Sequence, residues 1–166
     1  MTGLDPEKDH ILEIATVVTT ANLDEIIEGM SIAIFQNNTI LESMDEWNTQ
    51  HHGSSGLIER VVESSLSVTD AQAITLDFLR DWVPAGVSPM CGNTVCQDRR
   101  FLFKYMPSLA DYFHYRSIDV STLKELANRW APRMPRYKKL SRHIAMDDIK
   151  ESIAELQHYK EFFLKI

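Results

Sequence analysis

An α/β fold, a mixed β-sheet flanked by helices, is what this sequence predicts. Two apolar, β-branched runs near the start are separated by a polar turn, and later apolar runs alternate with stretches of helical periodicity. No internal repeat, low-complexity tract or linker divides the chain. Its 166 residues suffice for one sizeable core, and with 44% hydrophobic and 25% charged residues it reads as a soluble globular protein, one domain over residues 1–166.

The elements follow in order. "ILEIATVVT" (11–19) and "IIEGMSIAIFQ" (26–36) flank "TANLDE" and predict an antiparallel hairpin. "NTILESMDEWNTQHHGSSG" (38–56) mixes an acidic patch, Trp47, paired histidines and a Gly/Ser segment, and predicts an irregular surface excursion of the kind that carries recognition. In "TDAQAITLDFLRDWV", Ala73, Leu76, Leu79 and Val83 recur at helical spacing; Thr69 or Asp70 can cap the start, and Pro84 with Gly86 ends it. "VSPMCGN" predicts a short strand, "DRRFLFKYM" a helix, "HYRSIDV" a strand, and "STLKELANRWA" a helix with Ser121 as N-cap and Pro132 as its stop. The basic loop "PRMPRYKKLSRH" leads to "AMDDIKESIAELQHYKEFFLKI", a long helix made amphipathic by Ile149, Ile153, Leu156 and Phe163.

Composition excludes several classes. No apolar run approaches the ~18 residues of a membrane helix, so no membrane partner is expected. "MTGLDPEKDH" lacks the basic-then-apolar pattern of a signal peptide, and a cytoplasmic location is expected. Cys91 and Cys96 are too few for a zinc site and predict buried small hydrophobes in a reducing compartment. A net charge of −7 argues against a nucleic-acid coat protein that binds through many phosphate contacts. It leaves room for an enzyme whose few acids hold cations that in turn face phosphate.

Asp98 stands where a strand hands over to a helix, a position at which an acid most often satisfies orphan N–H groups. Asp147 and Asp148, in the first turn of the last helix, allow the same reading, and His143 stands five residues ahead of Asp148. Carboxylates on separate elements that end near one another also hold hard divalent cations for phosphoryl chemistry, since Mg²⁺ takes oxygen ligands and keeps several waters. A histidine with a near-neutral pKa can take the proton from an attacking water. The residues alone therefore leave a metal-dependent hydrolase beside simple helix capping.

"MTGLDPEKDHILEIATVVT", "WVPAGVSPMCGNTVCQDRRFLFKYMPSL", "YFHYRSIDVSTLKELANRW" and "HIAMDDIKESIAEL" together closely resemble the oligoribonuclease family, in the DEDDh branch of 3′-to-5′ exonucleases, from residue 1 almost to the end. The resemblance implies a ribonuclease-H-like fold, a homodimer, two bound divalent cations (Mg²⁺ or Mn²⁺), and cleavage of short RNA oligonucleotides, especially 5′-phosphorylated dinucleotides, to mononucleotides. It implies Asp98 and Asp148 as metal-binding acids and His143 as general base. By the same resemblance Leu4 and Trp47 match an apolar pair that contacts the bases. Thr94, Arg116, Ser121 and Thr122 match a polar cluster around the 5′ phosphate, and Tyr115 an aromatic that reaches into the partner subunit's site. Plainer readings stand beside these: Trp47 as a half-buried anchor, Ser121 as a helix cap, Tyr115 as an ordinary strand residue. Thr94 occupies a place where the family pattern leads one to expect Ser.

The family's first acidic motif, an Asp-x-Glu pair ending an apolar strand, precedes the residues that match "MTGLDP". That strand, near the centre of the family's sheet, and two of four metal-binding carboxylates are expected to be missing here. Asp5, Glu7 and Asp9 lack the required place on a strand. The expectation is a truncated exonuclease domain with weak binding of at least the second cation, little or no hydrolysis, and low stability from unpaired backbone groups. One rival is a noncatalytic remnant that dimerises, or binds short RNA through Trp47, Arg116 and Ser121, without cutting. Another is a relative with broader substrates, a tRNA-trimming or DNA-proofreading exonuclease, which the close match over 116–126 disfavours.

Overall fold

A computed structural model describes residues 1–138 and 144–166. The predicted hairpin is present: β1 (Glu13–Thr19) pairs antiparallel with β2 (Ile26–Ala33), with an irregularity between Ala15 and Val17. Period-two alternation sends Ile11 and Ile32 into one core cluster and Leu12 and Ala33 against another, so the open end of the hairpin is covered on both faces.

The stretch expected to be irregular is instead helical: α1 (Asn38–Glu42), α2 (Glu46–Ser54) and α3 (Leu57–Glu63). Local capping explains it. Asn37 Oδ1 accepts the Ile40 N–H at 3.0 Å, and Asp45 Oδ1 accepts the Asn48 N–H at 2.7 Å. These helices are too short to display a period. The next, α4 (Val68–Trp82), is capped by Ser67 rather than by Thr69 or Asp70; Asp70 is the reciprocal partner in a capping box, and Val83 lies just past the end.

β3 (Pro89–Gly92) and β4 (His114–Asp119) pair in parallel, connected by α5 (Val95–Tyr105) and by α6 (Pro107–Tyr112), which was not anticipated and which opens on its proline. α7 (Val120–Trp130) follows, capped by Asp119 and not by Ser121. The last helix is α8 (Ala145–Tyr159), passing into a π-helical turn, Lys160–Leu164.

Antiparallel and parallel pairing both occur, and among the described residues the strands form two two-stranded sheets. α8 touches both sheets. It reaches the hairpin through Gln157 Nε2, which donates to the Leu23 carbonyl at 2.8 Å, and the end of β3 through Ser152, which accepts from Asn93 at 2.9 Å.

The main core joins the hairpin to α4, α5 and α6 through Ile32, Ile34, Leu76, Phe101, Met106 and Leu109. Each such side chain contributes about 1.5–3 kcal/mol on burial. Leu12, Leu41, Leu57 and Val61 form a second cluster under α1–α3, and Val120, Ala127 and Tyr159 a third between α7 and α8. Both cysteines are exposed, contrary to expectation: Cys96 follows Val95 in the first turn of α5, and it is Val95 that is buried. Among the described residues no helix is long and apolar enough to cross a membrane.

Candidate active site

Residues 1–10 form a strap held against α5. The Tyr105 hydroxyl lies 2.7 Å from the Asp9 carbonyl and 3.2 Å from that of Pro6. Gln97, beside Asp98 in the helix's first turn, donates to the Leu4 carbonyl. Asp9 accepts the Thr2 hydroxyl at 3.0 Å and the Asp5 N–H at 2.9 Å, folding the strap on itself. A Cβ at Gly3 would come within 2.4 Å of that carboxylate, so position 3 takes no side chain without displacing it. Leu4, thus tethered, is 74% exposed.

Asp98 is largely shielded; burial pushes its pKa up from 3.8, and the negative charge of Asp119 acts in the same direction. The buried amino group of Met1 feels the carboxylates of Asp98, Glu13 and Asp9. Glu13 accepts from Arg60 and Ser31 Oγ, both at 2.7 Å, and from the N–H of Ala145, the first residue of α8, at 3.3 Å. Burial alone would raise the Glu13 pKa, but the bonds from Arg60 and Ser31 outweigh it and hold it below 4.5. Asp148 lies exposed in the first turn of that helix. α5, β1 and α8 therefore bring Asp98, Glu13 and the turn bearing Asp148 toward the open end of the hairpin. His143 lies outside the described residues.

A second cluster forms where β3 and β4 end. The Thr94 N–H donates to Asp119 Oδ1 at 2.9 Å and to Ser121 Oγ at 3.0 Å, and the two hydroxyls are 3.2 Å apart. Thr94 holds φ 55°, a left-handed conformation that costs a β-branched residue roughly 1–2 kcal/mol, and its N–H reaches across to the β4–α7 junction. Thr122 and Ser121 line a depression of about 340 Å³ with Glu125, Leu126 and Arg129. Farther back on β4, Arg116 places its guanidinium 5.2 Å from the Tyr115 ring centroid, and both side chains are exposed. Arg99 steadies this strand, donating to the His114 carbonyl at 3.0 Å and the Ser117 hydroxyl at 3.2 Å.

Trp47 stands on α2, 57% exposed rather than half-buried, with its ring stacked 3.9 Å from that of His51. His52 ties that helix to the strap, its Nε2 lying 2.9 Å from the Met1 carbonyl. The structure thus joins Thr94 to Ser121, sets Thr122 beside them, and tethers Leu4 to the turn that carries Asp98.

Over residues 1–156 the sequence matches the RNase_T exonuclease family. It is 59% identical over 166 residues to the oligoribonuclease of Pseudomonas fluorescens Pf-5, covering 99% of this chain and 92% of the relative. The Klebsiella pneumoniae oligoribonuclease is 59% identical over 167 residues, 100% and 92% covered, and that of Pseudomonas aeruginosa PAO1 is 58% identical, 100% and 93% covered. The chain belongs to the oligoribonuclease family of exonucleases.

Exonucleases of this family use divalent metal ions. Asp98 and Asp148 are hard oxygen donors suited to such an ion, and the shielded Asp98 is the one whose charge a cation would most stabilise. Among the described residues no three His, Cys, Asp or Glu side chains gather into a ligand set.

Glu13, Asn93, Arg99, Asp119 and Glu155 are the supporting residues that sequence reasoning missed. Asp119 was signalled by its place directly before "VST", where an acid caps a helix. Glu155 shares one helical face with Asp148 and Ser152, a polar stripe that in sequence reads as a solvated face.

Proposed function

We propose that this protein is a 3′-to-5′ exoribonuclease acting on short RNA, 5′-phosphorylated dinucleotides above all, as a homodimer in the cytoplasm and with Mg²⁺ or Mn²⁺. The single exonuclease domain spans residues 1–166. The observation that carries this reading is the pairing of two clusters: carboxylates in the first turns of α5 and α8, and the Thr94–Ser121 hydroxyls at the end of the parallel strands. Asp98 and Asp148 hold the metal, up to two ions per site, which supplies charge at the scissile phosphate. His143 takes the proton of the attacking water. Thr94, Ser121, Thr122 and Arg116 grip the 5′ phosphate, while Leu4 and Trp47 bracket the bases. Tyr115 meets the partner subunit; its 74% exposure on an edge strand supports this.

The test is mononucleotide release from a 5′-phosphorylated RNA dinucleotide with Mn²⁺. Release is expected, falling by about 100-fold or more in His143→Ala, and lost in Asp98→Ala. Release untouched by either substitution overturns the site; absence of both release and dinucleotide binding overturns the function.

A further inference from the structure

Asn93 follows Gly92, the last residue of β3, and its side-chain amide has every polar atom engaged. Nδ2 gives one hydrogen to Ser152 Oγ at 2.9 Å and the other to Glu155 Oε2 at 3.1 Å, both on α8. Oδ1 accepts the Ser121 hydroxyl at 3.1 Å. Ser152 passes its own proton to the Asp148 carbonyl at 2.8 Å. A continuous hydrogen-bond chain thus runs from Ser121 through Asn93 and Ser152 to the main chain of Asp148.

Glu155 anchors that chain. It is 1% exposed, a buried acid for which the metal site has no use. Oε1 accepts the Tyr159 hydroxyl at 3.1 Å, and Lys124 Nζ stands 3.9 Å away. A buried carboxylate so supplied favours one rotamer of each donor, because moving a donor would take from it a hydrogen bond that water does not replace. The chain also sets a polarity. With its proton committed to Asn93, Ser121 Oγ presents lone pairs to Thr94, so the Thr94 hydroxyl is the donor of the pair.

Resting on the function proposed above, we infer that Asn93 is a positioning residue that holds the 5′-phosphate grip at a fixed distance from the metal-binding Asp148. A dinucleotide spans that distance with its phosphate gripped and its 3′ residue beside the metal, whereas a longer strand must release one end.

The test measures binding in EDTA of three probes: 5′-phosphorylated diadenylate, its 5′-hydroxyl counterpart, and 5′-phosphorylated tetra-adenylate. The unaltered chain is expected to favour the first over both others. Asn93→Ala should lower both preferences by about fivefold, the worth of one hydrogen bond. Ser152→Ala, which cuts the next link but leaves Asn93 on Ser121, should lower only the preference over the tetramer. A purely structural role would instead lower the melting temperature while leaving both ratios intact. That outcome, in either folded variant, overturns the inference. An unaltered chain indifferent to the 5′ phosphate would sink the proposed function and this inference with it, a result distinct from retained preferences in the variants.

Discussion

The phenol of Tyr159 is pushed up to about 12 by its burial and by the charge of Glu155. Its ordinary value is 10.0, so the folded state holds the proton after the unfolded chain has released it. The stability this contributes is full below the unfolded value and is lost as pH rises from there through about 12. An absorbance titration should show one tyrosine ionising near that upper value, and Tyr159→Phe should flatten the alkaline fall in melting temperature. Residues of this kind were not legible beforehand. Asp98 and Asp148 stood out through the family resemblance, their first-turn positions alone leaving helix capping open, but a glutamate in mid-helix reads as solvated, and nothing local marks Glu155 as the acceptor for Asn93, 62 positions away. Thr94 could be named, though not its left-handed backbone, which the Asp119 and Ser121 acceptors hold in place.

At the scale of elements, local chemistry decides where helices begin. In the α4 capping box, Ser67 Oγ accepts the Asp70 N–H at 3.2 Å while Asp70 accepts the Ser67 N–H at 2.8 Å. Ser67→Ala should cost about 1 kcal/mol, read as a lower urea midpoint with an unchanged slope. The helical period revealed α4, α5, α7 and α8, each long enough to show it. It could not reveal α1, α2, α3 or α6, which run for two turns or so and are set by a cap, a left-handed glycine or a proline. The apolar stripe of α8 was legible, yet Ile149 and Ile153 are only half-buried, and the deepest side chains of that helix are Glu155 and Tyr159. Their face points to the hydrogen-bonded seam with β3 and α7, which apolar periodicity does not detect.

Across the whole molecule, Glu13 joins three parts: β2 through Ser31, α3 through Arg60, and α8 through the Ala145 N–H. Its folded pKa lies below the ordinary 4.5, so its contribution is present above that value and is lost as pH falls through the lower, folded one. Glu13→Gln should destabilise the protein by about 1–3 kcal/mol at neutral pH, the range for hydrogen bonds to a charged group. Melting curves of the two proteins should converge on acidification; a gap that acidification leaves unchanged would show that the carboxylate charge is not responsible. The mixture of strands and helices was legible from alternation and period. The antiparallel hairpin was legible too, but not that the later strands pair in parallel as a sheet of their own, since which strands become neighbours depends on packing partners distant in the chain.

Among the described residues the two strand pairs share no ladder hydrogen bond, and α8, laid against both, links their fluctuations alongside the core built on α4, α5 and α6. Detaching α8 frees the hairpin at Leu23 and Glu13 and the parallel pair at Asn93 in a single event. The molecule then has one hinge of cooperativity: amide protons of β1 and of β3 should exchange with solvent at a common opening free energy, rather than as two independent units.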